Sequence, residues 1–334
     1  MSASLEKLAA TLPPGYRLDQ DAELIVLRAP DGSLVTAFNA RSFSPEVVRQ
    51  SVEDHDRREL PKCRGTLCAY FFGHFELFCG SKALPMGRNA KALTILKYLL
   101  VNRTRPISQD HLMDLLWPAS GPTRARRSLN TAVHGLRKIL HSCPLPADCP
   151  GHIVLHEGHY HLWPALRVWT DVDEFDAHCD KGDSLKESGH VSMAVEEYER
   201  AVDLYRGDYL AEDLYEEWTM IERQRLANRH IDALCCLSQY FIDTGQHRNG
   251  LRACYGILDK GPYHELGHCL LMEYYAKYGL RTQALHQYGL YKRMLKGKFG
   301  VEPSAKVRSH YQEILRGGRV RSLSAFQESG LSEN

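Results

Sequence analysis

Several features that define other classes of protein are missing from this chain of 334 residues. It has no uninterrupted apolar run of about 18 residues, which excludes a transmembrane helix. Its first residues lack the basic segment and the long apolar stretch of a secretory signal. No GxxxxGK[ST] phosphate-binding loop, HExxH zinc motif or Ser-His-Asp arrangement stands out. We therefore expect a protein that is not an enzyme and that needs neither a cofactor nor a metal.

The CxxC spacing of cysteines is also absent. The chain contains 10 Cys, but none of them are arranged as CxxC. Cysteines of a long chain without an export signal are typically reduced and cytosolic. We therefore expect free thiols and a cytoplasmic location.

A large net charge is missing as well, because 42 Lys+Arg oppose 41 Asp+Glu and leave a net charge of +1. This balance hides a segregation of charge. Residues 82–141 carry a net charge of +9, with only Asp110 and Asp114 on the acidic side, whereas residues 171–230 carry −10. Such a partition is typical of separate domains, and the basic block favours a nucleic acid as its partner.

The pattern of turns and apolar periods predicts a mainly α protein. It indicates a winged helix-turn-helix followed by an α-helical tetratricopeptide-like domain, with a small N-terminal α+β unit. The expected boundaries are 1–62 for the N-terminal unit, whose role the sequence does not indicate, 67–165 for the winged helix, 171–316 for the helical domain and 318–334 for a flexible tail.

The N-terminal unit is expected to contain a β-hairpin and a helix. Strands at 23–29 and 33–40 flank the turn residues 30–32. Pro45 suits the first position of a helix over 44–55.

Two hairpins enclose three helices in the basic region, which is the order of a winged helix. Ser108 is the expected N-cap of the second helix, and Leu129, Val133, Leu136 and Leu140 form one apolar stripe on the third. The predicted helices span 89–101, 108–117 and 123–141, and the predicted hairpins span 67–86 and 152–163.

The helical domain contains an internal repeat. A glycine, a small residue five positions later and a tyrosine four positions further on occur twice, and a glycine pair forms a weaker copy. The residues are Gly189, Ala194 and Tyr198, then Gly279, Ala284 and Tyr288, with Gly245 and Gly250 as the weaker copy. The 34 residues from Gly245 to Gly279 match the period of a tetratricopeptide helix pair.

The apolar stripe on the third helix leaves a polar face for DNA. Asn pairs with adenine, Arg with guanine, and Thr contacts a thymine methyl group or a phosphate. The expected base-reading residues are Arg127, Asn130, Thr131 and His134. The expected phosphate-binding residues are Arg124, Arg126, Arg137 and Lys138 on the third helix, Ser108 at the start of the second and His159 in the wing. A basic helical face is commonly just solvated, but its coincidence with a helix-turn-helix pattern favours DNA.

Metal binding is the main alternative chemistry. Zinc ligands of structural sites normally occur as tight CxxC or HxxxH pairs, but Cys143 and Cys149 flank two prolines instead, so we expect no metal site. The candidate ligands are His141, Cys143, Cys149, His152, His156, His159 and His161.

Two charged segments of the helical domain remain open. The acidic block at 171–230 either keeps this domain away from DNA, or faces a basic polymerase surface, or is a solvated helical face. The basic residues Lys292, Arg293, Lys296 and Lys298 either add a phosphate or polymerase contact or complement the dipole at a helix C-terminus.

The motifs of both domains resemble those of one family. The winged helix carries GHFEL at 73–77, ISQD at 107–110, LLWP at 115–118, and AR and LRK at 125–126 and 136–138. The helical domain carries DVDEF at 171–175, YRGDYL at 205–210 and FGVEPS at 299–304. Together they resemble the SARP-type (antibiotic regulatory protein) transcriptional activators, which join an OmpR/PhoB-type winged helix to a bacterial transcriptional activation domain. The resemblance covers about 250 residues and departs from the family at His159, where a glycine usually precedes the wing tyrosine.

The resemblance implies a sequence-specific activator that binds promoter direct repeats in double-stranded DNA and contacts RNA polymerase. We expect a homodimer on DNA and no membrane partner. The alternative is a tetratricopeptide-like interaction scaffold, or a ligand-responsive adaptor, whose winged helix does not bind DNA. Salt-dependent affinity for duplex DNA discriminates between these functions.

Overall fold

The computed structural model describes most of the chain from residue 67 onward. The described residues are 67–80, 82–85, 89–141, 143 and 150–316, together with three strands near the N-terminus and the isolated positions Leu12 and Val48. Within these residues, no helix combines the length and the apolar character needed to cross a membrane. The fold is mainly helical with small sheets, which confirms the predicted fold class.

The chain forms two compact units. The winged-helix unit contains residues 59–174 and the short segment 210–212. The helical unit contains residues 1–58, 175–209 and 213–334.

The winged-helix unit consists of a four-stranded sheet, three helices and a three-stranded sheet. Strands β4 (Leu67–Tyr70), β5 (Glu76–Cys79) and β6 (Lys82–Ala83) are antiparallel, and β10 (Val168–Thr170) adds to β4 in parallel. The helices are α1 (Ala90–Val101), α2 (Gln109–Leu116) and α3 (Pro122–Leu140). The second sheet has the order β7 (Ile107–Ser108), β9 (His159–Leu162) and β8 (Ile153–His156).

Local chemistry fixes where these helices begin. The Asn89 side chain accepts a hydrogen bond from the Ala92 N–H, and Ser108 Oγ accepts one from the His111 N–H at 3.1 Å, which confirms the predicted N-cap. Pro122 opens α3 at a position where its missing N–H costs little. The predicted stripe Leu129, Val133, Leu136 and Leu140 is fully buried.

Two buried polar groups tie the first hairpin and α1 to later parts of this unit. The Asp171 carboxylate is inaccessible to solvent and accepts hydrogen bonds from the Phe71 and Phe72 N–H groups at 2.8 and 2.9 Å. The buried Lys97 ammonium lies 2.5 Å from the Glu212 carboxylate. Although burial opposes its ionisation, hydrogen bonds from Lys97 and His74 keep the pKa of Glu212 below its usual range.

A disulfide joins Cys79, at the end of β5, to Cys143, just after α3. The expectation that the cysteines are all free thiols is therefore wrong for these two residues, and Cys68 is disulfide-bonded as well. The physical reason is that folding brings sequence-distant residues together, here to a Cα–Cα separation of 5.6 Å across 64 residues. The free cysteines among the described residues all lie in the helical unit.

The helical unit is a series of antiparallel helix pairs. Its helices are α4 (Asp171–Glu187), whose first turn belongs to the winged-helix unit, α5 (Val191–Leu204), α6 (Glu217–Asp243), α7 (His247–Lys260), α8 (Glu265–Lys277), α9 (Arg281–Phe299) and α10 (Ala305–Leu315). The three repeat glycines Gly189, Gly245 and Gly279 follow α4, α6 and α8, each with a φ between 74° and 80°. A left-handed residue at this position ends one helix and turns the chain into the next.

The small residues predicted from the repeat lie where helices approach closely. Ala194 and Ala284 are buried, and a Cβ atom on Gly250 would lie 3.5 Å from the side chains of Phe241 and Ile242. A further close approach was not predicted, because a Cβ atom on Gly182 would lie 2.7 Å from the Tyr198 ring. The helical periods and the repeat therefore confirm the tetratricopeptide-like fold.

The N-terminal strands form an antiparallel sheet with the order β1 (Arg17–Asp21), β2 (Leu24–Arg28) and β3 (Leu34–Asn39). Strands β2 and β3 confirm the predicted hairpin, whereas β1 was not predicted. The predicted helix at 44–55, apart from Val48, and the tail at 318–334 lie outside the described residues.

Candidate nucleic-acid interface

The polar side of α3 forms one continuous exposed surface. Six side chains from successive turns line a shallow depression on this helix, and we call it the α3 face. They are Thr123, Arg126, Arg127, Asn130, Thr131 and His134, all of them exposed. The structure therefore brings together the four predicted base-reading residues and one predicted phosphate-binding residue.

The helical period explains this arrangement. Leu129, Val133 and Leu136 point into the core, so Asn130, Thr131 and His134 face solvent. The Thr131 hydroxyl donates to the Arg127 carbonyl at 3.0 Å, which leaves its methyl group for contacts outside the helix. Arg124 and Lys138 are also exposed on α3, but they do not line the depression.

Within the described residues, the cations of α3 lack the carboxylate partners that Lys97 and Arg103 of the same unit have. Lys91 donates to the Leu116 carbonyl at 2.6 Å, Lys97 pairs with Glu212, and Arg103 pairs with Asp173. Among the described residues, no carboxylate lies within ion-pair distance of the α3 cations. These are Arg124, Arg126, Arg127, Arg137 and Lys138. The positive charge of the α3 face is therefore available to an external anion.

The wing is anchored to the start of α2. Glu157 and Gly158 form its turn with φ angles of 47° and 75°, the left-handed pair typical of a tight hairpin. The Gln109 N–H donates to the Gly158 carbonyl at 2.9 Å, and His159 pairs in register with Ser108. Ser108 and His159, the two predicted phosphate-binding residues outside α3, are therefore neighbours. The Ser108 hydroxyl already serves as a helix cap.

Two contacts join α3 to the wing strands. The Arg137 guanidinium donates to the Ile153 carbonyl from Nε at 3.1 Å and from Nη2 at 3.0 Å. The buried Tyr160 donates its hydroxyl proton to Asn130 Oδ1 at 3.3 Å. Arg137 thus positions the wing, while its phosphate role stays a prediction.

Tyr160 is a candidate positioning residue that the sequence did not reveal. Its hydroxyl donates to Asn130 Oδ1, which leaves the Nδ2 group of this amide for other partners, and burial raises the pKa of this tyrosine. The alternation of the wing strand predicts a buried side chain at 160. Only the three-dimensional pairing with α3 shows what its hydroxyl contacts.

The candidate metal ligands of residues 141–161 that the structure describes do not come together at one site. The Cys143 sulfur is bonded to Cys79 in a disulfide. His152 is buried, and this burial lowers its pKa. His156 and His159 are exposed on the wing strands. No group of three or more candidate metal ligands meets among the residues that the structure describes.

Two known domain families match adjacent parts of the chain. Residues 85–153 match the family described as "Transcriptional regulatory protein, C terminal", and residues 170–315 match "Bacterial transcriptional activator domain". The first match includes the α3 face, and the second includes the helical repeats.

Curated relatives are regulatory proteins of Mycobacterium and Streptomyces species. The "Transcriptional regulatory protein MoaR1" of Mycobacterium tuberculosis is 26% identical over 245 residues, which is 73% of this chain and 78% of that protein. The "Regulatory protein DnrI" of Streptomyces peucetius is 26% identical over 240 residues, 71% of this chain and 87% of its own. The structure of Mycobacterium tuberculosis EmbR in complex with a low-affinity phosphopeptide shares the fold, with a TM-score of 0.68 and 21% identity over 80% of this chain and 70% of that one.

Proposed function

Because this chain belongs to the SARP-type family of transcriptional regulators, in which an OmpR/PhoB-type winged helix precedes a bacterial transcriptional activator domain, we propose that it activates transcription by binding specific promoter DNA through the α3 face. The observation that carries this proposal is the exposed row of Arg126, Arg127, Asn130 and His134, whose cations have no described carboxylate partner.

The side chains of the α3 face divide into two chemical roles. The Asn130 amide and the Arg127 guanidinium match the hydrogen-bonding edges of adenine and guanine in the major groove. Arg124, Arg126 and Lys138 lie along the same exposed side and bind phosphates, which set the register of the helix on DNA. Ser108 and His159 extend this backbone contact from the α2 start and the wing.

The rest of the proposed mechanism follows the family. The protein acts in the cytoplasm as a homodimer on promoter direct repeats, and the helical unit contacts RNA polymerase. It is not an enzyme, because it acts by recruitment and not by chemistry on a bound substrate.

The test is a footprint on genomic fragments selected by the purified full chain, followed by transcription from the protected promoter with purified bacterial RNA polymerase. We expect two protected half-sites in direct repeat and transcription that increases with added protein. If no fragment is protected at low salt, the protein is an interaction scaffold and the proposal is wrong. Protection without an increase in transcription would support the proposed DNA binding but exclude the proposed activation.

A further inference from the structure

The segment around the start of α6 exposes four large apolar side chains, which we call the α6 patch. Tyr215 is 97% exposed and Ile221 is 86% exposed, and Leu214 and Met220 are each more than half exposed. Single exposed apolar residues are normal on a protein surface. Four of them within residues 214–221, with an aromatic ring and a methionine among them, are typical of a contact with another protein.

The backbone that carries the α6 patch is held in place by Arg223. Its guanidinium donates to the Asp213 carbonyl at 3.0 Å and to the Thr219 hydroxyl at 2.8 Å. This hydroxyl belongs to a buried residue and donates in turn to the Glu216 carbonyl at 2.8 Å. Because these bonds fix the loop and the first turn of α6, a partner does not have to order them on binding.

Local packing does not explain the exposed tyrosine. Glu216 is the N-cap of α6, so Tyr215 and Met220 occupy the N′ and N4 positions of this helix. Apolar side chains at these positions often pack on each other as a hydrophobic staple. With 97% of its surface exposed, Tyr215 is not covered in this way. Its ring therefore offers apolar surface to a partner instead of stabilising the helix end.

The charge next to the α6 patch is negative. The acidic residues of segment 213–222 are Asp213, Glu216, Glu217 and Glu222, and the segment has no Lys, Arg or His. Glu222 pairs with Arg225 at 2.7 Å, whereas Glu216 and Glu217 have no ion-pair partner among the residues that the structure describes. Arg223, the next cation along the chain, is bonded to the loop. Carboxylates beside an apolar surface favour a partner that carries lysines or arginines.

The same carboxylates disfavour other occupants. A second copy of the chain would place its own acidic residues against them, and contacts between like charges are unfavourable. Nucleic acids and the cytoplasmic surface of a membrane are anionic and are repelled as well. The charge complementarity therefore selects a protein partner with a basic surface.

We propose that the α6 patch docks a basic amphipathic segment of a partner protein. The apolar side of this segment covers Tyr215 and Ile221, and its lysines or arginines pair with Glu216 and Glu217. The patch lies entirely in the helical unit, so the inference holds whether or not the α3 face binds DNA.

The experiment measures binding of a fluorescein-labelled amphipathic peptide of leucine and lysine to the full chain by fluorescence anisotropy. We expect saturable binding that is about tenfold tighter than that of the same peptide with glutamate in place of lysine. Combining Tyr215→Ser with Ile221→Ser should weaken lysine-peptide binding about tenfold without changing the melting temperature, because both side chains are exposed. The matched control, Leu290→Ser with Val301→Ser, replaces exposed apolar residues elsewhere in the helical unit and should bind like the wild type.

A charge variant tests the ionic part of the contact. Combining Glu216→Gln with Glu217→Gln should weaken binding of the lysine peptide and reduce its salt dependence. Equal binding of the two peptides by wild type, or equal lysine-peptide affinity in wild type and either patch variant, would overturn the proposal. A wild-type dimer that dissociates in the Tyr215→Ser, Ile221→Ser variant would assign the patch to a second copy of the chain and overturn it as well.

Discussion

Arginines in the two units of this protein have different partners. On α3, Arg126 and Arg127 are exposed, with no described carboxylate at ion-pair distance. In the helical unit, Arg225 bonds to Glu222 and Asp176 at 2.7 Å, and Arg229 bonds to Asp176 and Asp180. Hydrogen bonds to these carboxylates raise the pKa of Arg225 above its usual value. Local charge alone therefore does not mark a binding surface, and the α3 face is proposed as one because its charge has no described carboxylate partner.

The same comparison explains the two charged blocks of the sequence. The acidic block contains Asp176, Asp180 and Glu197, which pair with cations of the helical unit itself. These contacts support the interpretation of a solvated, internally paired helical surface for part of the block. In the basic stretch of α9, Lys292 pairs with Glu302 at 2.9 Å, while Lys296 and Lys298 lie in the last helical turn.

The largest expected effect concerns the described cysteines, which are bonded in the winged-helix unit and free in the helical unit. Reduction of the Cys79–Cys143 bond opens a loop of 64 residues and should lower the free energy of unfolding of the winged-helix unit by about 4 kcal/mol. Thermal melting of wild type and Cys79→Ser without reductant measures this change, because both proteins keep the disulfide of Cys68 there. With reductant the two proteins should melt at the same temperature. Equal melting of oxidised and reduced wild type would contradict the bond.

The next effect compares arginine pairs directly. The double variant that combines Arg126→Ala and Arg127→Ala should bind the target DNA about a hundredfold more weakly, because it lacks both a phosphate contact and a base contact. The matched variant, Arg225→Ala with Arg229→Ala, removes the same charge from the helical unit. It should lower the melting temperature and leave DNA affinity unchanged. A similar loss of affinity in both double variants would show that total charge, and not the α3 face, governs binding.

Asn130 distinguishes base reading from general attraction to DNA. Asn130→Ala should weaken binding to the specific site by about 2 kcal/mol and leave binding to random DNA unchanged. Competition titrations with both DNAs give the two affinities. Tyr160→Phe, which removes the hydrogen bond to Asn130, should show a smaller loss of the same kind. An equal loss on both DNAs would exclude base reading by Asn130.

Glycines in the two units should respond oppositely to the same substitution. A Cβ atom on Gly182 would meet the buried Tyr198 ring at 2.7 Å, so Gly182→Ala should destabilise the helical unit by about 1 kcal/mol. Gly135 on α3 has open space around it, and Gly135→Ala should stabilise that helix by a similar amount. Denaturant unfolding measures both changes. Two changes of the same sign would contradict the packing described here.

The smallest effect is acid sensitivity of the helical unit. Burial opposes ionisation of Glu197, but hydrogen bonds from Lys181 and His178 hold its pKa below the usual range. A depressed pKa stabilises the fold above the unfolded-state value of about 4.3, and this contribution is lost as the pH falls through the folded-state pKa. Glu197→Gln should therefore flatten the decline in stability below about pH 4. An unchanged decline would show that Glu197 does not contribute to it.

The sequence predicted most of the fold because its signals are local. The stripe of Leu129, Val133, Leu136 and Leu140, the Ser108 cap and the repeat glycines each act within a few residues, and the structure confirms them. The disulfide, the Asp171 bonds to the first hairpin and the Tyr160–Asn130 contact join residues far apart in the chain. No periodicity encodes such pairs, and the sequence therefore did not predict them.

The same reasoning applies to the candidate site. Helical period alone placed Arg127, Asn130, Thr131 and His134 on one exposed face, where the structure has them. The period did not show that Arg137 bonds to the Ile153 carbonyl, since that contact depends on how the wing packs. Their roles on DNA stay predictions.

The most direct test of the account is the salt dependence of DNA affinity for the full chain and for Arg124→Gln. The logarithm of the association constant should fall linearly with the logarithm of salt concentration, with a slope of about −0.9 for each phosphate bound. Arg124→Gln should reduce the magnitude of this slope by about 0.9, whereas Lys298→Gln, on the helical unit, should leave it unchanged. A wild-type affinity that does not depend on salt, or equal slopes in wild type and Arg124→Gln, would contradict the assignment of the α3 cations to DNA.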